Sequence, residues 1–151
     1  MAMHGLGVFD KTVQTTEQWV SEVAKELNLE DKHRAFQGLR ATLHAVRNRM
    51  PMGEAAHLGA ELPTLLAGFY YEGWKPESTP TKERTQAAFL ETVQSHVHQY
   101  IRDENPGFEI EQLARAVFRV MSDRIPAGEM QDITHMLPAE LKELFPEAVR
   151  A

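Results

Sequence analysis

Apolar residues recur every three or four positions along almost the whole chain. Trp19, Val23 and Leu27 fall four apart, Phe36, Leu39, Leu43, Val46 and Met50 step by three and four, and Leu58, Leu62, Leu65 and Phe69 keep the same spacing. Further on, Phe89, Val93, Val97 and Ile101 make one stripe, Ile110, Leu113, Val117 and Met121 a second, and Ile133, Leu137, Leu141 and Leu144 a third. A period near 3.6 residues puts such positions on one face of an α-helix, and no stretch shows the strict alternation of a half-buried strand. The breakers cut the stripes into eight predicted helices, at about 15–29, 32–49, 52–61, 63–72, 82–103, 109–123, 127–136 and 138–145. Pro51, Pro63, Pro126 and Pro138 each precede or open a short helix, where a missing N–H costs nothing.

The pattern occurs twice. Sliding residues 114–141 back by 75 positions sets Arg115, Ala116, Arg124, Pro126, Gly128, Glu129, Leu137, Pro138 and Leu141 on Arg40, Ala41, Arg49, Pro51, Gly53, Glu54, Leu62, Pro63 and Leu66. The expected organisation is a flexible N-terminal tail over 1–14, a first helical repeat over 15–74, a linker over 75–81 (Lys-Pro-Glu-Ser-Thr-Pro-Thr) and a second repeat over 82–151. Asn105-Pro106-Gly107 reads as a tight turn inside the second. Four short helices bury little alone, so the repeats are expected to share a core in one all-α, bundle-like domain.

Composition narrows the function classes. The chain has 151 residues, long enough to bury roughly 70% of its unfolded surface without a metal or disulfide. Its net charge of −6 works against general nucleic-acid binding, which needs surplus cations to neutralise phosphates. No apolar run approaches the roughly 20 residues of a membrane span. The opening residues lack the layout of a secretory signal, and there is no cysteine, so the expected setting is the cytoplasm.

Several segments are similar to a bacterial family known as domain of unknown function 2267. They are Ala35 through Trp74, especially Arg49-Met50-Pro51, Gly53-Glu54-Ala55, Leu62-Pro63 and Tyr70-Tyr71-Glu72-Gly73-Trp74, with a weaker copy at Arg124-Ile125-Pro126, Gly128-Glu129 and Leu137-Pro138. The resemblance spans about Thr16 to Phe145. It implies an all-helical fold and small stand-alone bacterial proteins; it implies no activity and supplies no catalytic residues.

The candidate chemistry is sparse. Arg40, His44 and Arg47 form an i, i+4, i+7 line beside the core stripe, with Arg115 and Arg119 taking its first two places 75 positions on. Such a cationic ridge could hold phosphate, an acidic partner or RNA, or spend itself on the chain's 22 acidic residues. Gly68-Phe69-Tyr70-Tyr71-Glu72-Gly73-Trp74 sets four aromatics at the junction before the linker. Tyr70, Tyr71 and Trp74 are either a dock for the second repeat or a binding face. Glu54 and His57 have E-x-x-H spacing, and Glu61 follows His57 by four, a candidate metal set that the second copy lacks because Asp132 stands where His57 would. Glu54 could equally favour the dipole at the start of its helix. His96 and His98 point about 200° apart on a helix and cannot easily chelate one ion. Arg49 and Arg124, each at a helix end two residues before a proline, read as structural pins.

The expected role is a helical binding or regulatory module acting through a protein partner or a small ligand. The alternatives are a metal-binding or ligand-processing protein centred on Glu54 and His57, and a structural homo-oligomer. No cofactor is indicated. No cysteine, G-x-S-x-G elbow or Gly-rich phosphate loop argues for nucleophilic or phosphoryl chemistry.

Overall fold

The structure is a computed structural model and describes residues 5–151; residues 1–4 of the expected tail lie outside the described residues. Eight α-helices follow in order: α1 Gly7–Glu26, α2 Lys32–Arg49, α3 Met52–Ala60, α4 Thr64–Tyr70, α5 Gln86–Tyr100, α6 Ile110–Arg124, α7 Ala127–His135 and α8 Ala139–Lys142. Two 3-10 turns, Pro76–Ser78 and Glu147–Val149, complete the secondary structure, and there is no strand among the described residues. The fold is all-α.

Local chemistry sets the helix ends. Asp31 and Thr85 accept from the backbone N–H groups of Arg34 and Ala88, each at 3.1 Å, which starts α2 and α5. Pro51, Pro63, Pro126 and Pro138 stand immediately before α3, α4, α7 and α8 in extended backbone. Each keeps its one useful group: their carbonyls receive Ala55, Ala67, Met130 and Lys142 at 2.8–3.3 Å, closing the first turn. Helix α1 ends where Asn28 turns left-handed (φ 51°) and Leu29 N–H reaches back to the Ala24 carbonyl at 2.9 Å.

Two expectations needed correction. Helix α1 begins at Gly7, so residues 7–14 are helix and not tail. The pattern hid this because the apolar residues at that end, Leu6, Val8 and Phe9, are 52%, 71% and 51% exposed and belong to no buried stripe. In α4 the stripe was read through Pro63 as Leu58, Leu62, Leu65 and Phe69. Pro63 resets the phase: Leu66 and Tyr70 are fully buried and Leu65 is 38% exposed.

One hydrophobic core runs through the molecule. Helix α1 packs on α2, α4 and α6; α5 packs on α2, α6 and α8; α2 crosses α6, and α3 lies against α7. Trp19, Leu43, Val93 and Phe118 are buried at its centre, and the rings of Phe118 and Phe145 stack 3.9 Å apart. The end of the 75–81 segment and the residues just after it are fastened to the end of α2, Thr81 N–H donating to the Asn48 carbonyl (2.8 Å) and Arg49 Nε to the Glu83 carbonyl (2.5 Å). At the other end, fully buried Thr134 holds the last residues against α7. Its hydroxyl donates to the Val149 carbonyl (2.7 Å) and accepts from Ala151 N–H (3.1 Å).

Replacing Thr134 by the isosteric valine should cost about 1–2 kcal/mol, the usual cost of orphaning a buried acceptor. Amide exchange should quicken at Val149–Ala151 first; unchanged protection there would show that the hydroxyl does not anchor this segment.

Candidate functional site

The three residues of the predicted cationic ridge, on successive turns of α2, converge on one short segment, Phe69–Glu72. Arg40 forks onto the Glu72 carboxylate, Nε at 2.8 Å and Nη2 at 3.0 Å, and its Nη1 reaches the Gln37 side-chain oxygen at 3.2 Å. Its guanidinium lies 3.9 Å from the centre of the Tyr100 ring, which places a cation on a π face. His44 Nε2 bonds the Phe69 carbonyl at 2.7 Å; a carbonyl only accepts, so the ring proton sits on Nε2. His44 Nδ1 then accepts from the Tyr100 hydroxyl at 2.8 Å. Arg47 donates Nη1 to the Tyr70 and Glu72 carbonyls (2.7 and 2.6 Å) and Nε to Asn48.

This is a buried junction and not an exposed ridge. His44 and Arg47 are each 3% exposed, because the face of α2 beside the core stripe is covered by α4 and α5. Burial holds the His44 pKa down to about 4, with the Phe69 bond opposing and nearby Arg47 and His96 adding to the effect. Both ring nitrogens are engaged, so this histidine has no proton or lone pair to offer a substrate. Burial also raises the Tyr70 pKa; that phenol is fully buried and donates to the Ala55 carbonyl at 2.6 Å, tying α4 to α3.

The aromatic segment divides by depth. Tyr71 is 37% exposed, its ring beside Tyr70 and Trp74, and Trp74 is half-buried with an Nε1 that finds no partner among the described residues. Gly59 of α3 makes room for Tyr71, since a Cβ there would stand 2.1 Å from the phenol oxygen. Glu54 and His57 approach to 3.7 Å on α3, with His57 two-thirds exposed. No group of three or more histidine, aspartate or glutamate side chains able to hold an ion occurs among the described residues, so Glu61 does not complete a set with that pair. Glu54 and Glu129 both sit in the first turn of their helices. Arg49 and Arg124 do not meet the glutamates five residues on. Arg49 takes the Glu83 carbonyl, and Arg124 bonds Glu22 and Gln18 of α1.

The open feature lies elsewhere, between the end of α1, α6 and the C-terminal segment, as a groove of about 590 Å³. Leu27, Ala116 and Pro146 form apolar wall over Leu144 and Phe145, while Asn28 and Gln112 offer amides. Three cations line it. Arg115 donates Nε to Glu111 (3.0 Å) and Nη1 to the Glu143 carbonyl (2.9 Å), leaving Nη2 to spare. Arg150 donates to the Phe145 and Glu143 carbonyls (3.0 and 3.1 Å), leaving Nη1. Arg119, with its side chain 59% exposed, has only Asp123 at 3.7 Å and no hydrogen bond among the described residues. Glu26 is the one acid in the lining. The helical spacing of Arg115 and Arg119 was visible in the sequence; Arg150 was not, because only the docking of the last turn carries it there.

The chain belongs to the family described as uncharacterized conserved protein (DUF2267), whose model matches residues 16–144. No curated protein matches it. No helix among the described residues is long and apolar enough to cross a membrane.

Two outcomes follow from the junction. Arg47→Met should cost about 3 kcal/mol in urea unfolding, since the buried Tyr70 carbonyl and the partly buried Glu72 carbonyl lose a charged donor; a loss under 1 kcal/mol would show they find other partners. His44 stays neutral in the folded state down to about pH 4 and protonates near 6.5 when unfolded. The unfolded state therefore binds the extra proton, and stability should fall as pH drops from about 6.5 toward 4, by about 2 kcal/mol between pH 7 and 5 from this group. A His44→Gln variant should lose that part of the slope, and an unchanged slope would assign it to other groups such as His96.

Proposed function

We propose that the protein is a binding module that takes a small anionic ligand in the groove between α1, α6 and the C-terminal segment. One observation carries this reading: in a chain of net charge −6, Arg115, Arg119 and Arg150 line a single open depression with guanidinium N–H groups to spare. Arginine forks suit carboxylate and phosphate oxygens, and apolar wall beside them suits an organic ligand and not a bare ion. The acidic surroundings disfavour a polyanion such as nucleic acid while leaving a small anion admissible. The Arg40, His44, Arg47 and Tyr70 junction supports this role by holding α4 and α5 on α2. The cysteine-free composition fits a cytoplasmic setting, which is part of the proposal.

A second reading has one observation in its favour. Met52, Tyr71 and Met136 are 58%, 37% and 40% exposed, and they lie on α3 or at the ends of α4 and α7, the two helices that pack against it. A homodimer through that face would cover them.

Thermal unfolding at constant ionic strength tests the first reading. Replacing chloride by inorganic phosphate or acetate at about ten times the dissociation constant should raise the melting temperature by about 4 °C. The double variant Arg119→Glu, Arg150→Glu should remove the rise. No anion-specific shift, or one that survives the double variant, would sink the groove as the site. Sedimentation velocity tests the second reading, which a single 17.1 kDa species at high concentration would end.

A further inference from the structure

The groove has a closed counterpart in the same molecule. Subtracting 75 from Gln112, Arg115, Arg119 and Phe145 gives Gln37, Arg40, His44 and Tyr70, four residues of the buried junction. The packing supports the correspondence: α1 lies on α2, α4 and α6 as α5 lies on α6, α8 and α2, while α2 meets α6 and α3 meets α7. A two-fold relation between the halves produces pairings of that form.

The two places differ in what covers the arginine. Over Arg40 lie a carboxylate, Glu72 held by two bonds, and a flat ring, Tyr100 at 3.9 Å. Over Arg115 there is neither. The residue 75 positions after Glu72 is Glu147, exposed and making no ion pair or hydrogen bond with Arg115 among the described residues; neither Arg115 nor Arg119 has a cation–π contact among them, and the ring of Phe145 in the lining is stacked on Phe118. Where the end of α5 brings Tyr100, the end of α1 brings Glu26, Leu27 and Asn28 to the rim and no ring. The acid that Arg115 does hold, Glu111, is an exposed neighbour one helical turn away, a pair of the kind worth little and readily displaced.

We infer that the groove takes a planar, ring-bearing carboxylate, which supplies to Arg115 and Arg119 the two groups that Glu72 and Tyr100 supply to Arg40. The inference rests on the anion-binding reading of the same groove and adds the ring to it. The carboxylate forks onto Arg115, and the ring, coplanar with it, lies over the Arg119 guanidinium one helical turn on, with its edge toward Pro146 and Ala116.

The test is a titration of the ¹⁵N-labelled full chain with benzoate, acetate and inorganic phosphate, following backbone amides. Benzoate should bind about tenfold more tightly than acetate, the order expected of one cation–π contact, with shifts centred on Gln112–Arg119 and Leu144–Arg150. Arg115→Lys, which keeps charge but cannot fork, should weaken benzoate and acetate alike. Arg119→Gln, at an exposed position without a hydrogen bond among the described residues, should bring benzoate to the level of acetate without altering the melting temperature, which keeps the result interpretable if Arg115→Lys unfolds. Equal affinities at the groove overturn the ring while leaving the anion site standing. No shifts at the groove with any of the three, or benzoate shifts centred on Tyr71 and Trp74, overturn both.

Discussion

The carbonyls at the end of α4 have to be given donors, and much of the architecture follows from how they get them. A seven-residue helix is too short to hold itself, and its final carbonyls point toward protein. Arg47 supplies Tyr70 and Glu72, and His44 supplies Phe69, so α2 closes α4 from the side. Placing those donors puts a guanidinium and an imidazole where the core would otherwise be apolar. The imidazole accepts its place by staying neutral; Arg47, which cannot, is satisfied by carbonyls on every side that matters. Tyr100 completes the arrangement from α5, which ties the second half of the chain to the same point.

The short helices after the prolines complete the frame from the other side. Each proline turns the chain, gives up an N–H that had no partner, and lends its carbonyl to the first turn of the next helix. The resulting α3 and α7 meet, and α4 and α8 fold back onto α1 and α5. Thr134 then pins the C-terminal turn to α7, and that turn carries Arg150 and Pro146 to the rim of the groove. The groove is thus a product of two docking events, the end of α1 against α6 and the last turn against α7.

Most of the helices were legible because two signals agreed, apolar spacing and proline or capping chemistry; α2, predicted at 32–49, begins and ends there. Where one signal was missing, the reading failed for a physical reason. The first turns of α1 bury nothing apolar, so periodicity could not find them. Leu65 and Leu66 are neighbours, and only the phase reset by Pro63 decides which is core. The site was less legible still. Arg40, His44 and Arg47 converge on one segment, but a line beside a core stripe can be rim or interior according to what packs over it, and the covering residues lie 23 to 56 positions away. Tyr70 and Tyr71, adjacent in the chain, separate in depth for the same reason, the first fully buried and the second 37% exposed.

An arginine beside a packed core has two ways of being satisfied, and this molecule uses both. Internal satisfaction, as at Arg40, requires that the fold deliver an acid and a ring to one spot, and the reward is rigidity. In the groove Arg115 and Arg150 are held by backbone carbonyls, Arg115 also by the surface acid Glu111, while Arg119 has only Asp123 at 3.7 Å, so the fold fixes two of the positions without exhausting their valence. Preorganised donors with unspent hydrogen bonds lower the ordering cost of whatever they bind, which is the physical difference between a structural arginine and a receptive one. That difference does not show in residue type or in spacing, since Arg40 and Arg115 share both. It shows only in what the rest of the chain brings over the guanidinium, a carboxylate and a phenol ring in one half and open groove in the other.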